Sequence, residues 1–216
     1  MPPPAPPPAP VSFGLVAGRP VFMDVTSDSY FRLGEQEEQG FLERWTKLGR
    51  GQRLSQLEAT RLGLAGVPVE ADSIAPTLSL IDDVVPLRAG LGDLIRIWPV
   101  LRRARADIAR RPIAELLSAL TARPAFRYDR DVHPAALRWL AARRLLPAAP
   151  QCLVDTLALA RWLGPAPQLM MVFGVKLDPF EAHCWLQHAD WLLNDRLDTI
   201  AAFSPVRVVE CAAATR

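Results

Sequence analysis

The alternation of apolar and polar positions predicts strands at the start of the chain and helices after them. Val11, Phe13 and Leu15 alternate with smaller or polar residues, and a turn at Gly18-Arg19-Pro20 leads into Val21–Val25. Thr26–Ser29 makes a second turn before Tyr30-Phe31-Arg32-Leu33, which completes a three-stranded meander. Phe41, Leu42 and Trp45 then recur at helical spacing within Glu35–Trp45, and a second helical run opens at Ser55 with Leu57, Leu62 and Leu64 as its apolar members. Strands followed by helices predict a small winged-helix-like module over residues 11–66. Its last helix carries a single arginine, so an exposed strand edge that binds peptide suits the module better than DNA does.

Residues 67–87 are rich in Pro, Asp and Ser and read as a linker. Residues 88–122 read as helical with a break at Trp98-Pro99. After a loop at Arg127–Val132, His133-Pro134 starts a short helix that Pro147 and Pro150 end. Cys152–Leu163 is apolar at helical spacing, with Leu153, Leu157, Ala160 and Leu163 on one face. Two strands follow, Leu169–Val175 and Ala182–Gln187, with a turn at Lys176–Phe180 between them, and Trp191–Asp195 makes a third. The fold class is α+β: an N-terminal module, a helical middle, and an antiparallel sheet within a domain over 88–216.

Composition narrows the function. A formal charge of +2 leaves no basic excess for phosphates and argues against nucleic acid as a partner. No run of eighteen apolar residues would span a membrane. Seven of the 21 prolines fall in MPPPAPPPAP, so residues 1–10 read as an unstructured tail and PxxP docking as the lesser alternative. Three cysteines without a signal peptide fit reduced thiols and a cytoplasmic location. Five arginines between Arg102 and Arg111 read as a solvated helix face that Asp107 partly offsets, rather than as a surface for a membrane or an acidic partner. There is no P-loop and no GxGxxG, and neither a cofactor nor a metal is expected.

The chemistry concentrates in three residues. Cys152 falls in the first turn of its helix, where unpaired N–H groups and the positive helix pole favour thiolate and supply donors for an oxyanion. His183 and Trp185 point to one face of their strand, while Ala182, Cys184 and Leu186 point to the other, which makes Cys184 a poor nucleophile. A three-residue hairpin loop, His188-Ala189-Asp190, would set Gln187 against Trp191 and His183 directly opposite Asp195, at about 5 Å between Cβ atoms. A thiol, an imidazole and an orienting carboxylate make a cysteine nucleophile at neutral pH. Asn194 points away from Asp195 and is the weaker orienting group. His133 reads as a helix start, His188 as a solvated turn residue and Cys211 as inert.

The runs C-L-V-x-x-L-A-L-A-R-x-L at Cys152–Leu163, V-F-G-V-K-L-D-P-F-E-A-H-C-W-L at Val172–Leu186 and L-N-D at Leu193–Asp195 closely resemble a known domain. It is the transglutaminase-like (papain-related) cysteine peptidase domain of the B protein of lasso peptide biosynthesis. The resemblance implies that Cys152, His183 and Asp195 are the catalytic triad of a leader peptidase. The N-terminal strands ending in Ser29–Leu33 are similar to the RiPP recognition element, which implies a fused protein whose precursor leader adds beside the third strand. Tyr30, Phe31, Arg32, Leu33, Leu57, Arg61 and Leu64 would then line the leader groove. The implied partners are the lasso precursor and an asparagine-synthetase-like, ATP-dependent cyclase. One departure stands out: position 146 is Leu, so a papain-like oxyanion glutamine is missing, and the Cys152 N–H is the better donor than adjacent Gln151. Transglutaminase-type acyl transfer with the same triad, and a non-catalytic precursor scaffold, remain as alternatives.

Overall fold

A computed structural model describes residues 9–48, 55–64, 66–71, 75–84, 87–122 and 132–211. Residues 1–8 of the proline-rich tail and all but Val132 of the Arg127–Val132 loop lie outside the described residues. The fold is mixed α+β, as the pattern predicts.

The meander forms as β1 (Val11–Val16), β2 (Arg19–Asp24) and β3 (Ser29–Phe31), each antiparallel to the next. β3 is shorter than expected: Arg32 and Leu33 lie beyond it, and Ser29 belongs to it rather than to the turn. Helix α1 (Glu35–Leu48) opens with Glu35, Glu37 and Glu38, which favour its N-terminal pole. In α2 (Gln56–Arg61), Ser55 and Glu58 close a reciprocal capping box. Strand β4 (Val69–Glu70) runs parallel to β1, giving the sheet order β3-β2-β1-β4.

Period-two alternation gives this sheet two dissimilar faces. Val11, Phe13 and Phe22 pack under α1 with Phe41, Trp45 and Phe31. Val16, Val21, Met23 and Val25 face the other way and join the large core of the C-terminal half. The approach there is close: a Cβ on Gly14 would lie 1.8 Å from the Pro205 carbonyl oxygen. Buried Arg207 ties the same seam, donating to the Ala9 carbonyl at 2.9 Å and to Ser12 Oγ at 3.4 Å.

The second sheet has the order β5-β8-β7-β6-β9, from β5 (Leu78–Ser79), β6 (Leu169–Lys176), β7 (Glu181–His188), β8 (Trp191–Leu192) and β9 (Ser204–Glu210). Helices α4 (Ile113–Thr121) and α6 (Cys152–Leu163) pack on it, α3 (Leu91–Arg110) and α5 (Val132–Arg143) pack against α6, and α7 (Leu197–Ile200) precedes β9. Almost every side chain of α6 is at least partly buried, because this helix runs through the middle of the core. β4 and β5 come from the segment read as a linker, so each sheet takes a strand from it.

The helix break comes at Arg111-Pro112 and not at Pro99, which sits inside an unbroken α3. Pro99 is exposed and the carbonyl it deprives belongs to exposed Ile95, where water can serve it; buried Ile97 and Leu101 hold both halves of the helix on the core. Asp107 does not offset its neighbouring arginines, because its carboxylate binds Arg161 of α6 at 2.7 Å. Among the described residues, no helix is long and apolar enough to cross a membrane.

Candidate active site

Cys152 is the first residue of α6 and is exposed. Gln151 is the N-cap, with extended backbone (φ −140°, ψ 117°) and no side-chain cap of its own. Asp155 supplies the missing contact by accepting the Gln151 N–H at 3.1 Å. Arg143 of α5 grips that carboxylate with two bonds, at 2.6 and 3.2 Å, and fixes the turn that carries the thiol.

The sheet meets this helix at an edge. β8 pairs with β7 at Gln187 and His188, so among the described residues no strand lies beside the outer edge of β7 before Leu186. The first half of α6 fills the gap. Thr156 Oγ donates to the Cys184 carbonyl at 3.0 Å, and the Cys184 N–H helps to draw the Cys152 thiol down. The sulfur therefore lies toward the strand edge, where neighbouring His183 is the chief influence on its ionisation. The Cys184 side chain is buried on the helix side of the sheet, and burial pushes its thiol well above the ordinary range.

Asp195 reaches His183 by a route other than the expected register. The hairpin loop has two residues, Ala189-Asp190, with Gln187 paired to Leu192 and His188 to Trp191. An unbroken ladder would set His183 against Arg196. The chain instead leaves the ladder after Leu192, and Asp195 Oδ2 turns back to hydrogen-bond His183 Nε2. That leaves Nδ1 for the thiol. Asp195 Oδ1 accepts the Arg196 N–H at 2.8 Å.

The supposed linker clamps this turn. Ser79 Oγ donates to the Asp195 carbonyl at 2.8 Å, and Asp82 takes the Leu197 N–H at 3.2 Å and the Arg196 guanidinium at 2.9 Å. No sequence signal relates these residues, which stand 115 and 116 positions apart. The ring of Phe203 lies 5.1 Å from that of His183 and closes the opposite side.

The electrostatics follow from these contacts. The His183 and Asp195 side chains are only 19% and 17% exposed, so their attraction is weakly screened. The hydrogen bond His183 donates to Asp195, then its interaction with Cys152, pushes His183 up to about 9. The His183 hydrogen bond draws the Cys152 thiol below its ordinary 9.0 against the opposing effect of burial, with N–H groups of Leu153 and Cys184 assisting. Burial works to raise Asp195, but the bonds from His183 and the Arg196 N–H outweigh it and leave the carboxyl lowered. Between the lowered pKa of Cys152 and about pH 9 the arrangement favours thiolate with imidazolium, which is a nucleophile with its proton donor in place.

The remaining candidates fall in several places. Asn194 points inward, accepting the Leu186 N–H at 2.8 Å and donating to Thr156 Oγ at 2.9 Å. His188 is not a turn residue: it ends β7, and its Nδ1 lies 3.2 Å from Nε2 of His133 on α5. Cys211 is buried, its N–H bound to the Leu169 carbonyl. β3 is an edge strand, as leader addition needs. Its residues do not form one binding face, however. Phe31 stacks on Phe22, Arg32 is bound to Glu38 at 2.9 Å, Leu33 packs on the small aromatic core and Tyr30 faces the large one. Leu57, at 63%, and Arg61 are exposed on α2, whereas Leu64 is buried and serves the core rather than a groove surface.

A cavity of about 440 Å³ opens elsewhere, between the β1–β2 turn and the Lys176–Asp178 loop, and none of Cys152, His183 and Asp195 lines it. Among the described residues, no three His, Cys, Asp or Glu side chains are grouped to hold a metal ion.

The sequence profile of the transglutaminase-like superfamily matches residues 93–208, more than half of the chain, and the matched span contains all three residues. No curated protein and no solved structure matches the chain.

Proposed function

The chain belongs to the transglutaminase-like superfamily, and on that premise we propose that it is a cysteine peptidase that removes the leader from a ribosomally made lasso-type precursor. The observation that carries this reading is an imidazole that Asp195 holds by one ring nitrogen and that is the chief influence drawing the Cys152 thiol down. The motifs around those residues support the narrower assignment through their resemblance to lasso leader peptidases.

The thiolate of Cys152 attacks the carbonyl at the leader–core junction. Negative charge builds on the carbonyl oxygen beside the first-turn N–H groups of α6, which have no partner within the helix. His183 passes its proton to the departing core amine, and the leader stays on sulfur as a thioester. Water then attacks, giving one proton to His183; the thiolate leaves, and the new leader carboxyl releases the other proton to solvent. Asp195 keeps the ring oriented and favours its cationic form throughout.

In this reading residues 11–66 capture the leader along the open edge of β3, which raises the concentration of the scissile bond near Cys152. The freed core passes to an ATP-dependent, asparagine-synthetase-like cyclase. Incubating wild type and Cys152→Ala with a lasso precursor, with and without such a cyclase, tests the proposal by intact mass. Two fragments that need Cys152 are expected. A crosslinked adduct in place of fragments assigns acyl transfer instead, and cleavage by Cys152→Ala excludes both.

A further inference from the structure

β3 sends its two aromatic side chains to different places. Phe31, opposite Phe22, stacks on that ring at 5.3 Å in the core under α1. Tyr30, opposite Met23, faces the other way, onto the core that holds Met23, Cys184 and Val154 of α6. Its ring meets that of Phe180 at 5.8 Å, and Phe180 stands three residues before His183 at the start of β7.

The surroundings of Tyr30 fix where this pair lies. Its phenol interacts electrostatically with Cys184 and with Cys152, while burial holds it protonated. A side chain of the N-terminal sheet thus packs into the core that also holds α6, whose first residue is Cys152. Phe180 is 52% exposed, an aromatic surface left open to water three residues along the chain from His183. Two rings of this kind are matched by an apolar side chain, since neither offers a counter-charge to an acidic or basic one.

We propose that Tyr30 and Phe180 form an apolar subsite that takes a bulky apolar side chain of the peptide next to its scissile bond. The inference rests on the peptidase reading and adds what selects the peptide. Tyr30 becomes a specificity residue of the cleavage cleft, not a side-chain contact for the distant part of the leader. The backbone edge of β3 stays free, so a peptide paired along it is delivered to the cleft by the same strand.

Tripeptidyl chloromethyl ketones carrying Phe or Asp at either of the two residues next to the reactive carbon test this without a natural precursor. The rate of Cys152 alkylation is read by intact mass for wild type, Tyr30→Phe, Tyr30→Ala and Phe180→Ala. At one of the two positions wild type should prefer Phe over Asp by about tenfold or more, the usual worth of one well-packed apolar side chain. Tyr30→Phe should keep that ratio, and Tyr30→Ala and Phe180→Ala should bring it to within about twofold. Equal rates in wild type, or a ratio preserved in Phe180→Ala, overturns the proposal. Phe180 is exposed, so its variant decides the matter if Tyr30→Ala fails to fold. A Cys152 no more reactive than a free thiol defeats the peptidase reading itself, a different outcome from a reactive Cys152 without preference.

Discussion

Asn194 and Asp195 are adjacent in the chain and serve opposite sides of the same strand edge. Asn194 turns inward to bond the Leu186 N–H and Thr156, stitching α6 to β7. Asp195 turns outward to His183 and steadies the ring beside the thiol. Position in the turn thus assigns one residue to assembling the fold and its neighbour to holding the site.

The two are separable by mutation. Asp195→Asn keeps a partner for the ring but loses the charge, and should lower peptide turnover by roughly 10²–10⁴-fold with little loss of stability. Asn194→Ala leaves a buried edge unsatisfied and should cost about 1–3 kcal/mol in denaturant unfolding while Cys152 stays reactive.

The pH dependence follows from the shifted groups. Turnover should rise as Cys152 ionises below 9.0 and fall as His183 loses its proton near 9, because the departing amine then lacks a donor. In stability, the His183 contribution is full below 6.5 and lost as pH rises through about 9. That of Asp195 is present above 3.8 and lost as pH falls through its lowered pKa. His183→Ala should therefore be more destabilising at pH 6 than at pH 10 in matched unfolding curves.

The parts of the site that local pattern governs were legible in the sequence. Alternation put Cys184 and His183 on opposite faces, and apolar spacing placed Cys152 at a helix start. The register was not legible, because a two-residue loop with Ala189 at φ 54° carries no glycine or asparagine to announce it. His183 still meets Asp195 because the chain bends out of the ladder. Ser79 was hidden for another reason: β5 is two residues long and exists through its parallel pairing with β8, so no local propensity marks it.

Ser79→Ala removes the support under Asp195 without touching Cys152, His183 or the Asp195 carboxylate. Turnover should fall by roughly 10- to 10²-fold with KM nearly constant, the pattern of a misplaced orienting group. An equal rise in KM would point to a role in binding instead.

Docking of the N-terminal sheet depends on Gly14. Gly14→Ala drives a methyl group into the Pro205 carbonyl and should cost about 1–3 kcal/mol in denaturant unfolding. Gly92→Ala, in α3 with open space around it, should instead gain up to about 1 kcal/mol.

Iodoacetamide alkylation of Cys152 across the pH range, followed by intact mass, measures the sulfur–imidazole pairing directly and needs no substrate. In wild type the half-maximal rate should come below pH 9.0, and His183→Ala should move it upward. A midpoint at the ordinary thiol value, unmoved by His183→Ala, would contradict the account.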